Sequence, residues 1–192
     1  RKFQISFHTP NGVHPREITV ELAKTMYKSN FKTIRLSYET IDKARQAEMG
    51  NKVSDETLKQ AIDNLVAAGY QARQIDVYVI MGIPGQMPEE VIESMLFVVS
   101  LGAKARLTSF SPIPGTKDWK RSVELYNMPP DIDPLLTNNT LFPLAREEFP
   151  SETFEKLRKL SRVLNYGIDN GVNFTEQSRF AQSLRRSLGR WE

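Results

Sequence analysis

The chain has 192 residues, of which 40% are hydrophobic and 26% charged, with a formal net charge of +3. This is an ordinary globular composition for one domain or a large part of one, and too weakly basic to argue for nucleic acid. Cysteine is absent, which excludes disulfides, a thiol nucleophile and thiolate metal ligation, and fits a cytoplasmic setting.

The first strand is expected at Phe3–Phe7, closed by His8, Thr9, Pro10, Asn11 and Gly12. The preceding residues lack the apolar segment of a signal peptide, and no run reaches the roughly 20 residues of a membrane span. The chain therefore reads as beginning inside a strand, as a piece of a longer protein would. Its apolar edge, with nothing before it, is a candidate for pairing with another chain or a second copy as a homodimer.

Pro15–Ser29 reads as a helix, with Ile18, Leu22, Met26 and Val20, Ala23, Tyr27 as its buried stripe. Phe31–Leu36 is the second strand, ending at Ser37-Tyr38-Glu39-Thr40. A helix follows from Ser54 to Ala68, with Ser54 as its N-cap and Gly69 as its stop.

Gln74–Met81 is the third strand. Its apolar run Val77–Met81 has no polar alternation, so burial on both faces is expected, as in a parallel sheet flanked by helices. The turn Gly82-Ile83-Pro84-Gly85-Gln86 then leads into a helix over Pro88–Leu101. Glu89 and Glu90 stand in its first turn, where the helix dipole favours acids. Ala105–Phe110 is the fourth strand, closed by Ser111-Pro112-Ile113-Pro114-Gly115-Thr116.

Strands and helices thus alternate every thirty to forty residues or so, which predicts right-handed crossovers and an α/β fold with a parallel sheet. Four units are too few to close a barrel of eight. An open or partial barrel and a small doubly wound sheet both remain. In either, ligands bind at the C-terminal ends of the strands.

The character changes after Trp119. Asn127–Leu144, with Pro129, Pro130, Pro134 and Pro143, reads as an irregular connection. Ser151–Tyr166 is a helix capped by Ser151 and ended by Gly167, with Phe154, Leu157, Leu160, Val163 and Leu164 on one face. Phe180–Leu188 is a basic helical tail. The expected division is 1–122 for the β/α units and 123–192 for the connection and helical extension.

Four strand-end segments carry a family resemblance. They are Thr9-Pro10-Asn11-Gly12-Val13-His14, Ile34-Arg35-Leu36-Ser37-Tyr38-Glu39-Thr40, Gly82-Ile83-Pro84-Gly85-Gln86 and Phe110-Ser111-Pro112-Ile113-Pro114-Gly115-Thr116. In this order, between helices, they resemble a radical S-adenosylmethionine (SAM) enzyme, most closely the group with a cobalamin-binding domain upstream. The resemblance covers Phe3 to Trp119. It implies a partial (β/α) barrel, of which this chain supplies units three to six of six. The family's first unit carries the three cysteines that hold a 4Fe–4S cluster, and this chain has none.

The resemblance implies SAM as cofactor, with the 4Fe–4S cluster and cobalamin belonging only to a full-length protein. The whole enzyme would generate a 5′-deoxyadenosyl radical or transfer a methyl group, and this chain alone would be inactive, with no catalytic residue and no metal ligand of its own. Ser37 would lie near the SAM ribose, and Glu39 would reach a ribose hydroxyl or the methionine ammonium. Tyr78, Ile80 and Gly82 share strand parity and would pack on adenine, with Pro112 and Ile113 reading its edge. Asn11 and His14 would stand at the mouth.

Each position also has a plain structural reading. Ser37 and Glu39 solvate a loop, Gly82 serves a tight turn, and Pro112 and Ile113 stiffen a loop. His8 and His14 are hydrogen-bonded turn residues, too few for a metal site. Arg45, a possible partner of the SAM carboxylate, reads better as a solvated helix charge. Two other function classes stand beside the enzyme. One is a non-catalytic α/β interaction module pairing through the first strand. The other is a phosphate-binding barrel using the amides of Gly82–Gln86, disfavoured because Pro84 removes a donor.

Overall fold

The computed structural model describes residues 5–137, 144–147, 149–175 and 182–183. Four strands, β1 (Phe7–His8), β2 (Phe31–Glu39), β3 (Ile75–Met81) and β4 (Lys104–Ser109), form one sheet in the order β1-β2-β3-β4. Every neighbouring pair is parallel. The loops that follow the strands therefore all leave from the same edge of the sheet.

The helices are α1 (Val20–Lys28), α2 (Lys43–Glu48), α3 (Asp55–Ala68), α4 (Pro88–Ser100), α5 (Lys117–Tyr126) and α6 (Ser151–Asp169). None is long and apolar enough to cross a membrane among the described residues. The architecture is α/β: four parallel strands alternating with helices, closed by a C-terminal helix, with the helices on one face of an open sheet.

That face carries Ile34, Leu36 and Tyr38 of β2, Val77, Val79 and Met81 of β3, and Ala105 of β4, all buried. They pack with Ala23, Leu58, Leu65, Val91, Met95 and Val98 of the helices in one continuous core. α6 joins it through Phe154, Leu157, Leu164 and Ile168. Burying a side chain of this size contributes about 1.5–3 kcal/mol, so the pattern of alternate residues fixes which face each strand presents.

The opposite face is not covered. Arg35, Ser37, Tyr78 and Ile80 are partly exposed, and Arg106 is exposed. The expected burial of β3 on both faces is therefore corrected: Val77, Val79 and Met81 lie under helices, but Tyr78 and Ile80 do not. The apolar residue types of the run predict cover on both faces, but cover depends on what packs opposite the sheet.

Other expectations shift. The described part of the first strand is Phe7–His8, later than Phe3–Phe7; Phe3 and Gln4 lie outside the described residues. The helix expected over Pro15–Ser29 is a short 3-10 turn at Pro15–Glu17 followed by α1. Thr19 caps α1 by accepting a hydrogen bond from the Leu22 amide. The new start rotates the stripe, so Ala23 and Met26 are buried while Val20, Leu22 and Tyr27 are exposed.

β2 runs on to Glu39, beyond Leu36. α2 and α5 have no counterpart among the expected elements. α6 begins after Pro150, with Ser151 as its first residue, and continues past Gly167 to Asp169. Gly167 does not stop the helix. Its missing side chain lets Phe174 pack close, since a Cβ there would lie 2.6 Å from the Phe174 ring. Val163, assigned to the buried face, is 57% exposed. The basic tail at Phe180–Leu188 falls almost wholly outside the described residues.

α3 is as expected, with Ser54 accepting from the Thr57 amide and Gly69 ending it. At its first turn the Tyr38 hydroxyl donates to Asp55, which also takes Lys43 and Gln46. Burial and the Asp55 charge keep the Tyr38 hydroxyl protonated. Burial acts to raise the Asp55 carboxyl, but those three donors outweigh it and hold it below its ordinary value.

Candidate functional site

At the C-terminal ends of the strands, the first loop folds back onto β2. Val13 forms an isolated parallel bridge with Leu36. Its amide donates to the Arg35 carbonyl at 2.6 Å, and its carbonyl accepts from the Ser37 amide at 3.2 Å. Gly12 is thereby pressed against Ser37 and Tyr78. A Cβ on Gly12 would lie 2.6 Å from Ser37 Oγ and 3.3 Å from Tyr78 Cδ2. The Tyr78 hydroxyl donates to the Pro10 carbonyl at 2.7 Å and accepts from Arg35 at 2.8 Å. The fold thus brings the first loop, Ser37 and Tyr78 into one cluster, with Asn11 exposed beside it.

Glu39 does not continue the simple alternation of β2. The register with β3 slips between Ser37, opposite Tyr78, and Glu39, opposite Val79. Glu39 itself has φ +78°, a left-handed conformation costly to any residue with a side chain. The strand alternation that would otherwise set Ser37 and Glu39 on one face is therefore interrupted by a bulge. Burial raises the Glu39 carboxyl above its ordinary value, and the positive charges of Lys52 and His14 offset this only in part.

The sign of that shift makes a testable difference. A carboxyl raised on folding favours the folded state while protonated, and that contribution is lost as pH rises through the folded value. Glu39→Gln is expected to raise the melting temperature at about pH 7 and to leave it nearly unchanged at about pH 4. Thermal melts across this range check it. A loss at neutral pH would contradict it.

The Gly82–Gln86 turn is organised from within. Buried Gln86 accepts from the amides of Gly82 and Ile83 at 2.7 and 3.3 Å, and donates to the Ile80 carbonyl at 3.1 Å. The Gly85 amide donates to the Tyr126 hydroxyl at 2.6 Å. These amides are occupied, so the turn does not present the open anion cradle that a phosphate-binding barrel would use.

Beneath the turn lies a residue pair that sequence reasoning missed. Arg45, on α2, makes three bonds of 2.9, 3.2 and 3.1 Å to the Glu90 carboxylate and one of 3.3 Å to the Pro84 carbonyl. Their side chains are only 10% and 13% exposed. Glu90 also accepts from Thr40 and Gln86. Arg45 as a solvated helix charge is thus corrected: it is a buried strut joining α2, α4 and the turn. Glu90 is electrostatic in role, as its position in a first helical turn suggested. No spacing in the sequence links residues 45 and 90.

The remaining positions are more scattered. Gly82 is buried in the turn, Pro112 is buried, and Ile113 is 63% exposed. Thr116 accepts from the Trp119 amide and so begins α5. His8 shares a hydrogen bond with Thr33, and His14 accepts from the Arg16 amide. No cluster of three His, Asp or Glu side chains suited to a metal occurs among the described residues.

No family model matches the chain, and no curated protein matches it. A search of solved structures finds coproporphyrinogen III oxidase (HemN) from Escherichia coli, described as a radical SAM enzyme. The two share 13% identity at a TM-score of 0.57, over 84% of this chain and 32% of that one. The chain thus spans about a third of that enzyme's length. The likeness establishes the fold: four parallel β/α units and a following helix, resembling part of a radical SAM barrel. With no cysteine in 192 residues, the chain cannot itself ligate an iron–sulfur cluster, which needs soft thiolates.

Proposed function

We propose that this chain is the adenosyl-binding wall of a radical SAM enzyme of the group that carries a cobalamin domain. The grouping of Gly12, Ser37 and Tyr78 at the C-terminal ends of parallel strands is the observation that supports this reading most. Tyr78 and Ile80 leave an apolar surface open on the uncovered face, suited to a purine. Ser37 and the half-buried Glu39 offer a hydroxyl and a carboxylate to the polar part of the ligand. Gly82, Pro112, Ile113 and Asn11 complete the assignment at the rim.

The iron–sulfur cluster does not fit this chain, for want of thiolates, so no step of the reaction is routed through it. In the whole enzyme it would supply the electron for SAM cleavage. The residues here would bind and orient the adenosyl group.

The test is calorimetric titration of the chain with S-adenosylhomocysteine. Saturable binding, weakened by Ser37→Ala and by Tyr78→Ala, is the expected result. No binding in the chain, and none in a longer polypeptide carrying the cysteine-bearing unit, would refute the proposal.

A second reading has its own observation. Ile5 and Phe7 are 57% and 46% exposed at the outer edge of β1, and Phe7 stacks on Phe31 at 5.1 Å. Such an edge is suited to strand addition by a second copy. A tight dimer in solution, disrupted by Phe7→Lys and without affinity for the nucleoside, would favour this interaction module over the enzyme reading.

A further inference from the structure

We infer that a second ligand site lies between β4 and α6, and that it takes a compact organic molecule bearing two or more anionic groups. The groove there has a volume of about 480 Å3, and Lys104, Arg106, Arg158 and Arg162 line it with Asp169 as the single carboxylate. This volume lies in the range of small-molecule pockets. Lys104 opens β4, so the groove starts at the N-terminal end of that strand and reaches Arg106, which stands opposite Tyr78 in the ladder.

The positive charge is not cancelled by its surroundings. Asp169 is matched by Lys104 at 3.0 Å. Arg106 shares Asp76 with Arg35, at 3.2 and 3.6 Å, so two guanidinium groups divide one carboxylate. Arg158 reaches Glu155 only at 3.7 Å. Arg162 is exposed, with no ion-pair partner among the described residues.

The floor is already committed. Asn165 accepts from the Ala105 amide at 2.9 Å and donates to its carbonyl at 2.7 Å, and Ser161 donates to that carbonyl at 2.9 Å. These bonds seal the strand edge and hold α6 at a fixed distance, so the groove is part of the fold and not a gap between loose parts. Recognition is left to the cationic rim. Guanidinium forks bind carboxylate and phosphate oxygens in pairs, which favours an anionic ligand over a neutral sugar or an apolar one.

Two simple anions test the site. The unaltered chain is titrated by calorimetry with pyrophosphate and with citrate, at low and at physiological salt. At least one should bind, more weakly as salt rises. Arg158→Gln combined with Arg162→Gln should weaken it about tenfold or more. Lys59→Gln, on the exposed face of α3, should leave it unchanged.

Tighter pyrophosphate assigns a phosphorylated ligand, and tighter citrate a carboxylate one. Failure of both anions to bind, equal loss in Lys59→Gln, displacement by S-adenosylhomocysteine, or tighter binding of a single-stranded oligonucleotide would each overturn the proposal. The anion titrations are run without nucleoside, so failure of both anions to bind is separate from failure of the adenosyl reading, which the S-adenosylhomocysteine titration tests on its own. The altered arginines are partly or fully exposed, so a normal melt of the double variant confirms that the fold is kept.

Discussion

Glu90→Ala is expected to cost the fold about 3–5 kcal/mol, the usual effect of removing one partner from a buried ion pair. The alanine leaves the Arg45 guanidinium 10% exposed with only the Pro84 carbonyl as a partner. It also strips Thr40 and Gln86 of an acceptor. For a chain of this length the melting temperature should fall by about 10 °C.

Arg45→Ala should cost a comparable amount, since it strands the carboxylate instead. Replacing the pair by apolar residues of similar volume, Arg45→Met with Glu90→Leu, should cost less than either single change, because no unpaired charge is then buried. Urea unfolding of the unaltered chain, Arg45→Met, Glu90→Leu and the double variant closes the cycle and gives the coupling directly. Additive losses, with the double variant the least stable, would mean that the two side chains do not act as a pair.

The consequences reach the candidate site. Gln86 fixes the Gly82 and Ile83 amides, and Glu90 holds Gln86 from the other side. A loosened Glu90 therefore frees the turn that follows β3. The single variants should weaken nucleoside binding even in the fraction that remains folded.

This strut illustrates what the sequence can and cannot disclose. Strand–helix alternation, the Ser54 cap and the Gly82–Gln86 turn are local patterns with a fixed physical meaning, and they predict a parallel α/β sheet with all its loops at one edge. The four strands, their direction and α3 follow from them. Arg45 and Glu90 are 45 positions apart on two helices, and each alone is an ordinary helix charge. Only the packing of α2 against the start of α4 buries them together.

The same limit applies to faces. The residue types of Tyr78 and Ile80 predict cover, but cover depends on what stands opposite the sheet, not on β3 itself. The Ser37 to Glu39 bulge is a further case. Period-two alternation is a property of regular strands, and nothing in Ser-Tyr-Glu signals that the backbone turns left-handed at Glu39. The candidate residues most securely brought together, Gly12, Ser37 and Tyr78, meet because Val13 pairs with Leu36. That contact joins the first loop to β2 by backbone bonds and is invisible in residue types.

That cluster sets the second large effect. Gly12→Ala is expected to abolish nucleoside binding and to destabilise the chain by about 1–3 kcal/mol. Two penalties coincide there: Gly12 has φ +80°, and its added methyl would stand 2.6 Å from Ser37 Oγ. Gly50 separates them. It has φ +81° with nothing within 4 Å of where an added methyl would stand, so Gly50→Ala reports backbone strain alone. The excess cost of Gly12→Ala over Gly50→Ala is then the clash.

Removing the hydroxyl should relieve part of it. Gly12→Ala with Ser37→Ala should be more stable than the single Gly12→Ala, because the nearest atoms left are Tyr78 Cδ2 at 3.3 Å and the Ser37 amide at 3.6 Å. Binding should not return, since the proposed ribose contact is gone as well. In the double variant stability thus recovers in part while affinity does not, which a merely structural role for Ser37 would not produce. If Gly12→Ala costs no more than Gly50→Ala, or if the double variant binds S-adenosylhomocysteine as the unaltered chain does, the loop from Thr9 to His14 is a structural turn and the nucleoside lies elsewhere.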